Sequence, residues 1–425
     1  MTPIRSNTGQ KLPTAVVLGL ESNGLGVVRA LGREKIPCIA LSTPDRHPAC
    51  DSRYCSVVTA RSWNLNGVVE GLKDIASGLE AKAPLLITRD QGVLWVSQAR
   101  EELSQWYEIA LPEPDTIDLL MNKRRFLLFA QSKGWPVPKT WFIENREELM
   151  AHRSEYLYPA MLKPQLKNDA FRQHSPKKAF QVNSESELLR TYDLVAQWEE
   201  QVVVQEWIGG GDDRIAFCLG YRGRDGATRA AFAGRKLLQW PIQCGNTALS
   251  EPAPEKWREP LASLTETLWR EVGYCGVGSL EFKMRPENDQ PVIVEPTVGR
   301  SDYQSELAVL NGVNIPAIAY CDLAAIPYQT PRPQASPVKL VDGPAHWRSF
   351  RAYRKLGMMT LAAWLRLRSG KRRYMIARRV DMAPFWTSIR IALRYKIGDI
   401  LEGLLGRNAK ERIKRALHAS AKDAH

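Results

Sequence analysis

Two carboxylates, Glu281 and Glu295, stand near the two ends of LEFKMRPENDQPVIVEP (280–296), which reads as a two-stranded hairpin. Side chains on adjacent antiparallel strands can point to one face and converge within a few ångströms. Unpaired, the two charges would repel, and a bound cation is the simplest resolution. Mg²⁺ favours one or two carboxylates together with substrate phosphates, which turns attention to a nucleotide. The bland alternative is that each Glu is an exposed strand residue meeting a surface lysine.

The company of the pair adds to that reading. Lys163, in AMLKP, follows an apolar strand and precedes a proline. VVVQEWIGGGDD places Glu206 and Ile208 at the end of another strand. The ordered set Lys163, Glu206, Glu281, Glu295 resembles the ATP-grasp superfamily, most closely its carboxylate-amine ligase-like members, over about residues 14–325. The resemblance implies an α/β (α+β) ATP-grasp fold with an N-terminal parallel α/β domain, two β-rich ATP-binding subdomains and a helical, basic C-terminal tail. It implies ATP and Mg²⁺ as cofactors, with Glu281, Glu295 and Thr297 toward the metal. Lys123 and Lys163 would contact phosphates, and Glu206, Trp207 and Ile208 would meet adenine through backbone groups, with Asp213 close by. Arg300 and Lys236 would serve the reacting phosphoryl or acyl-phosphate group, since a guanidinium fork suits an oxyanion better than an ammonium does. Arg235 is a further basic candidate beside Lys236. Against these roles, Lys123 could be a solvated helix charge and Arg300 a surface ion pair.

Two features depart from the family pattern. Thr297 stands where many members carry the Asn of an E-x-N motif, and a hydroxyl is a weaker ligand. The phosphate-covering loop, LKNDAFRQHSPKK, contains no glycine, so Lys177 and Lys178 would supply charge in place of backbone amides. Near the start, GLESNGLG is a turn opening a helix, and Glu21, Ser22, Asn23 and Gly24 are candidate substrate contacts.

The elements that must position these residues follow from periodicity. TAVVLGL, PCIALS and PLLIT read as strands alternating with helical stretches, the pattern of a parallel sheet over residues 1–112. A Pro-rich boundary then opens a small subdomain (113–200) and a larger one (201–326). An amphipathic helix with Leu261, Leu264, Leu268 and Val272 on one face precedes the hairpin. Residues 327–344 hold five prolines and read as an extended linker before a basic segment, 345–425.

Charge and composition bound the remaining classes. The net charge is +13, yet residues 345–425 alone carry 20 Lys and Arg against 5 Asp and Glu. The basicity is therefore local, and reading the whole chain as a nucleic-acid binder would be a mistake. Seven scattered cysteines lack zinc or disulfide spacing and read as reduced thiols of the cytoplasm. No segment reads as a signal or a membrane span. In the basic segment, Trp386, Ile389, Leu393, Ile397, Leu401 and Leu404 recur at helical steps among Arg390, Arg394 and Lys396, which suits an anionic bilayer surface at the inner face of the membrane. The duller option is a helical appendage packed on the catalytic core.

Together these features predict an ATP-dependent ligase joining a small-molecule carboxylate to an amine through an acyl-phosphate, in envelope, polysaccharide or amino-acid metabolism. Its family relatives are often homodimers. The rival is a non-catalytic ATP-binding module tethered to the membrane by its basic segment.

Overall fold

The computed structural model describes residues 11–165, 179–243, 245–328 and 336–405, with side chains of the last helix described as far as 396. Among the described residues three sheets carry the fold. The first is parallel, in the order β3-β2-β1-β4-β5, from β1 (Ala15–Leu18), β2 (Cys38–Ser42), β3 (Ser56–Thr59), β4 (Ala83–Ile87) and β5 (Tyr107–Glu108). All four residues of β1 are buried, as expected for a central strand with helices on both faces. Strand order reverses between β1 and β4, so a crevice opens at their carboxyl ends, where ligands of open α/β sheets bind.

The second sheet is small and antiparallel, in the order β6-β9-β7-β8, from β6 (Thr140–Ile143), β7 (Ala160–Pro164), β8 (Phe180–Val182) and β9 (Val202–Glu206). Helices Arg146–Ala151 and Glu185–Val195 cover it. Asn145 and Ser184 cap them by accepting from Glu148 N and Glu187 N.

The third sheet, in the order β14-β13-β10-β11-β12-β15-β16, joins β10 (Ile215–Arg222), β11 (Thr228–Trp240), β12 (Asn246–Pro252), β13 (Gly276–Met284), β14 (Pro291–Thr297), β15 (Lys339–Val341) and β16 (Arg372–Tyr374). The amphipathic helix spans Glu255–Glu271 and packs Trp257, Leu261, Leu268 and Trp269 inward, while Leu264 is only partly covered.

Part of the C-terminal segment packs on the third sheet. Lys339–Val341 lies within the stretch read as a linker, yet it pairs antiparallel with β12, and Arg372–Tyr374 pairs parallel with it in turn. Helix Gly343–Lys355, capped by Asp342, lays Phe350 and Tyr353 against Leu237, Leu238 and Leu249, with Trp364 completing the cluster. Burial of each such side chain contributes about 1.5–3 kcal/mol, enough to hold the segment on the sheet. The chain then returns to the first sheet, where Asp381 meets Arg29 in a buried ion pair at 2.8 Å and Arg378 meets Glu306 at 2.7 Å. The final helix, Ala383–Leu405, leaves from there with Trp386, Ile389 and Leu393 exposed. Ile397, Leu401 and Leu404 lie outside the described side chains, as Lys177 and Lys178 lie outside the described residues.

Candidate active site

Glu281 on β13 and Glu295 on β14 are direct register partners, with a bulge immediately after Glu281. The hairpin therefore does present both carboxylates at one level, as the alternation of the two strands requires. Lys236 of β11 is buried and reaches across the intervening β10 to place Nζ 2.6 Å from Glu281 Oε2. Lys123 opens helix Lys123–Ser132, and its Nζ lies 2.9 Å from Glu295 Oε2 in a largely solvated pair. Burial pushes the Glu281 carboxyl above its ordinary range; Lys236 opposes that shift, while Glu295 and Asp302 add to it.

Asp302 was not singled out by sequence reasoning. Its Oδ2 accepts from Ser279 Oγ at 3.0 Å, and Ser279 is the register partner of Thr297, so Asp302 adds a third acid near the hairpin. The only sequence signal was its place two residues after Arg300. Lys283 was also missed: it donates to the carbonyls of Gly210 and Gly211 at 2.9 and 2.8 Å, and burial lowers its ammonium pKa.

Alternation along β11 separates the two basic candidates there. Arg235 leaves the site, donating twice to Glu251 at 3.0 and 2.7 Å. Lys163 on β7 donates to Gln205 Oε1 at 3.1 Å, and Gln205 in turn donates to Thr140. At the end of β9 the backbone N–H groups of Glu206 and Trp207 donate to the carbonyls of Lys139 and Pro159, at 2.8 and 3.2 Å. The Glu206 carboxylate is held by Arg285 at 2.7 Å and by the backbone N–H of Lys139. Glu206 thus ties the small sheet to the end of β13, and Ile208 follows in the connecting loop. Asp213 is exposed on a short 3-10 turn. Its neighbour Asp212 is the anchored acid, accepting from the backbone and side chain of Gln239 at 2.9 and 3.0 Å.

The crevice of the first sheet brings a second set of charges together. Arg300 donates to Asp90 through Nε at 2.6 Å and a terminal nitrogen at 3.3 Å, joining the loop after β14 to the helix after β4. Arg89 lies 3.3 Å from Glu21 and stacks over Trp63. Asn23 donates to the carbonyl of Thr88 at 3.2 Å, and Ser22 is the first residue of its helix. Gly24 is buried, and a Cβ there would lie 2.2 Å from the Gly19 carbonyl oxygen, so its part is close packing of turn on helix.

No family model matches the chain. It is 24% identical to a D-aspartate ligase of Enterococcus faecium over 320 residues, 71% of this chain and 74% of that one. Among solved structures, N5-carboxyaminoimidazole ribonucleotide synthetase in complex with ADP matches with a TM-score of 0.58 and 13% identity, over 80% of this chain and 82% of that one. The biotin carboxylase domain dimer of Hydrogenobacter thermophilus 2-oxoglutarate carboxylase, bound to MgADP, ADP and bicarbonate, matches with a TM-score of 0.56 and 15% identity over 77% and 74%. In sequence and in fold the chain is similar to carboxylate-amine ligases of the ATP-grasp superfamily. The likenesses support an ATP-dependent ligase.

The donor set can be tested against Mg²⁺, which is typical of such ligases. Among the described residues no three His, Cys, Asp or Glu side chains converge tightly enough to hold a metal by themselves. Two facing carboxylates with hard oxygen donors suit Mg²⁺ that completes its shell from phosphates and water.

Proposed function

We propose that this ATP-grasp ligase activates an amino-acid-like carboxylate with ATP and transfers the acyl group to an amine. The observation that carries the reading is the hairpin pair Glu281 and Glu295, each with a lysine on it, beside a crevice where two arginines and two acids face one another. The substrate carboxylate oxygen attacks the γ-phosphorus, the bond from that phosphorus to the bridging oxygen breaks, and ADP leaves. The amine nitrogen then attacks the acyl carbon, phosphate departs, and the nitrogen releases a proton to solvent. Mg²⁺, when bound, would neutralise the phosphate oxygens during the first step.

The chain's own groups do the rest. Glu281 and Glu295 would hold the metal, with the Thr297 hydroxyl on a bound water. Lys123, Lys163 and Lys236 would neutralise phosphate oxygens, and Lys178 is a further candidate contact. Backbone groups from Glu206 to Ile208 would meet adenine, as a strand edge can, and Asp213 would lie toward the ribose. Arg300, oriented by Asp90, would hold the acyl-phosphate with its planar fork. Glu21 and Arg89, of opposite charge at the mouth of the parallel sheet, suit the ammonium and carboxylate of an amino acid. The match to a D-aspartate ligase supports that substrate class.

The direct test incubates the protein with Mg-ATP and pooled amino acids, sugar acids and amines, and measures ADP, phosphate and amide product. Substrate-stimulated release of ADP and phosphate with a new amide is the expected result. Tight ATP binding without stimulated release in any pool would favour a non-catalytic nucleotide module.

A surface role for the C-terminal helix also stays a proposal. No described helix is long and apolar enough to cross a membrane. Exposed Trp386, Ile389 and Leu393 among Arg390, Arg394 and Lys396 nonetheless suit contact with anionic lipid. Co-sedimentation with anionic vesicles, comparing the full chain with one ending at Thr387, checks it. Self-association, proposed from the dimeric biotin carboxylase domain, is checked by light scattering.

A further inference from the structure

The two carboxylates that suit the metal and two of the lysines that suit the phosphates are bonded to each other. Lys236 Nζ lies 2.6 Å from Glu281 and Lys123 Nζ lies 2.9 Å from Glu295. The partners come from different elements, β11 and β13 in one case, a helix start and β14 in the other, so neither pair is a by-product of local sequence. The Lys236 ammonium is almost fully covered, and among the described residues its side-chain partners are Glu281 at 2.6 Å and Gln239 at 3.4 Å.

We propose that the site works by partner exchange: the divalent ion displaces Lys236 and Lys123 from Glu281 and Glu295, and the released ammonium groups take the phosphates of the nucleotide that arrives with it. The inference rests on the reading of these four residues as metal and phosphate contacts, and adds a coupling between them. Each ligand alone pays a cost under this arrangement. A metal ion without nucleotide strands two ammonium groups, one of them buried; a nucleotide without metal must pull lysines from carboxylates and leaves two facing acids unneutralised. Together the ligands satisfy all four groups. The coupling is reciprocal, because the factor by which one ligand tightens the other is shared by both. The consequence is selection for the metal–nucleotide complex over either component free in solution.

The test measures Mn²⁺ binding without nucleotide and ATP binding with the metal chelated, for the wild type and four variants. Exchange predicts that Glu281→Gln and Glu295→Gln bind metal-free ATP roughly fivefold more tightly than wild type, because a lysine is released, while losing the tightening that metal gives. Lys123→Met and Lys236→Met should bind Mn²⁺ alone roughly fivefold more tightly and metal-free ATP more weakly. Two controls separate exchange from a general change in field. Asp302→Asn and Lys283→Met remove nearby charges bonded to Ser279 and to the Gly210 and Gly211 carbonyls, and should move the same constants less than about twofold. The Lys123–Glu295 pair is largely solvated, so its variants keep the fold even where a change at Lys236 does not. Carboxylate variants that bind metal-free ATP no more tightly than wild type, while wild-type affinity still depends on metal, would overturn exchange and leave the site intact. Wild-type nucleotide affinity indifferent to all four substitutions would instead remove the site itself.

Discussion

Asp381 closes on Arg29 from the far end of the chain. Its carboxylate accepts from Arg29 Nε at 2.8 Å, Ser52 Oγ at 2.9 Å and Arg53 N at 3.1 Å, and both charged side chains are buried. Arg29 also donates to the carbonyls of Met375 and Ile376, so the C-terminal strand and turn are bound to the helix that begins beside Glu21. Removing one partner leaves an uncompensated buried charge. Asp381→Ala should therefore lose about 3–5 kcal/mol in denaturant unfolding. The double variant Arg29→Met, Asp381→Leu should lose less than Asp381→Ala alone, because no charge is stranded. A loss under 1 kcal/mol for Asp381→Ala would show that the segment is only laid on the surface.

His346 makes the same segment sensitive to acid. Its ring is buried and stacks on Trp364 with centroids 5.3 Å apart, and Nε2 has no hydrogen-bond partner among the described residues. Burial first, and then Arg368 and Arg372, pull its pKa from 6.5 down to about 4. The unfolded chain binds the proton more readily, so this contribution is complete above pH 6.5 and is lost as pH falls toward 4. The loss amounts to at most about 3 kcal/mol. His346→Phe should flatten the stability profile between those pH values, read by urea unfolding at each pH. A profile as steep as the wild type's would place the acid sensitivity elsewhere.

Arg300 is the predicted specificity handle for chemistry as opposed to nucleotide binding. Its fork lies on Asp90, which comes from the crevice of the parallel sheet and not from the hairpin. Arg300→Lys keeps the charge and loses the fork, and should lower kcat by about 10²-fold or more with ATP affinity changed less than threefold. Asp90→Asn should give a smaller fall in kcat, since it disorients the guanidinium without deleting it. Single-turnover measurements of ADP formation separate these effects from product release.

How much of this was legible in the sequence depends on how local each feature is. Alternating apolar residues around Glu281 and Glu295 set the facing register, and that register is a property of two neighbouring strands. The pairing of Lys236 with Glu281 was not legible, because it spans β10 and depends on a three-strand alignment fixed only in the folded sheet. Strand alternation could have excluded Arg235 once Lys236 was chosen, since adjacent strand residues face opposite sides. Charge counts report average solvation, so they leave the packing of the C-terminal segment open. They do not register that Arg378 and Asp381 are among the buried charges, each with a partner on another element. Short β15 and β16 lack the length for a periodic signal, and are held by the neighbours they pair with.

Gly299 offers a test of how tightly the loop after β14 is built. Its φ is +66°, and a Cβ there would lie 2.4 Å from Leu111 Cδ2 and 3.0 Å from Val93 Cγ1. Its N–H donates to the Tyr274 hydroxyl at 2.8 Å, and Ser301 N donates to the carbonyl of Ile87. Arg300 is therefore held between two fixed backbone points, with no slack to absorb a methyl group. Gly273 is also left-handed, at φ +62°, but among the described residues nothing lies within 4 Å of a Cβ built there. Gly273→Ala should cost only the conformational strain, about 1 kcal/mol. Gly299→Ala adds steric overlap and should cost about 2–4 kcal/mol while lowering kcat, because the displaced loop carries Arg300 off Asp90. Equal destabilisation by the two substitutions, or full activity in Gly299→Ala, would mean that the loop gives way and that Arg300 does not depend on this turn for its place.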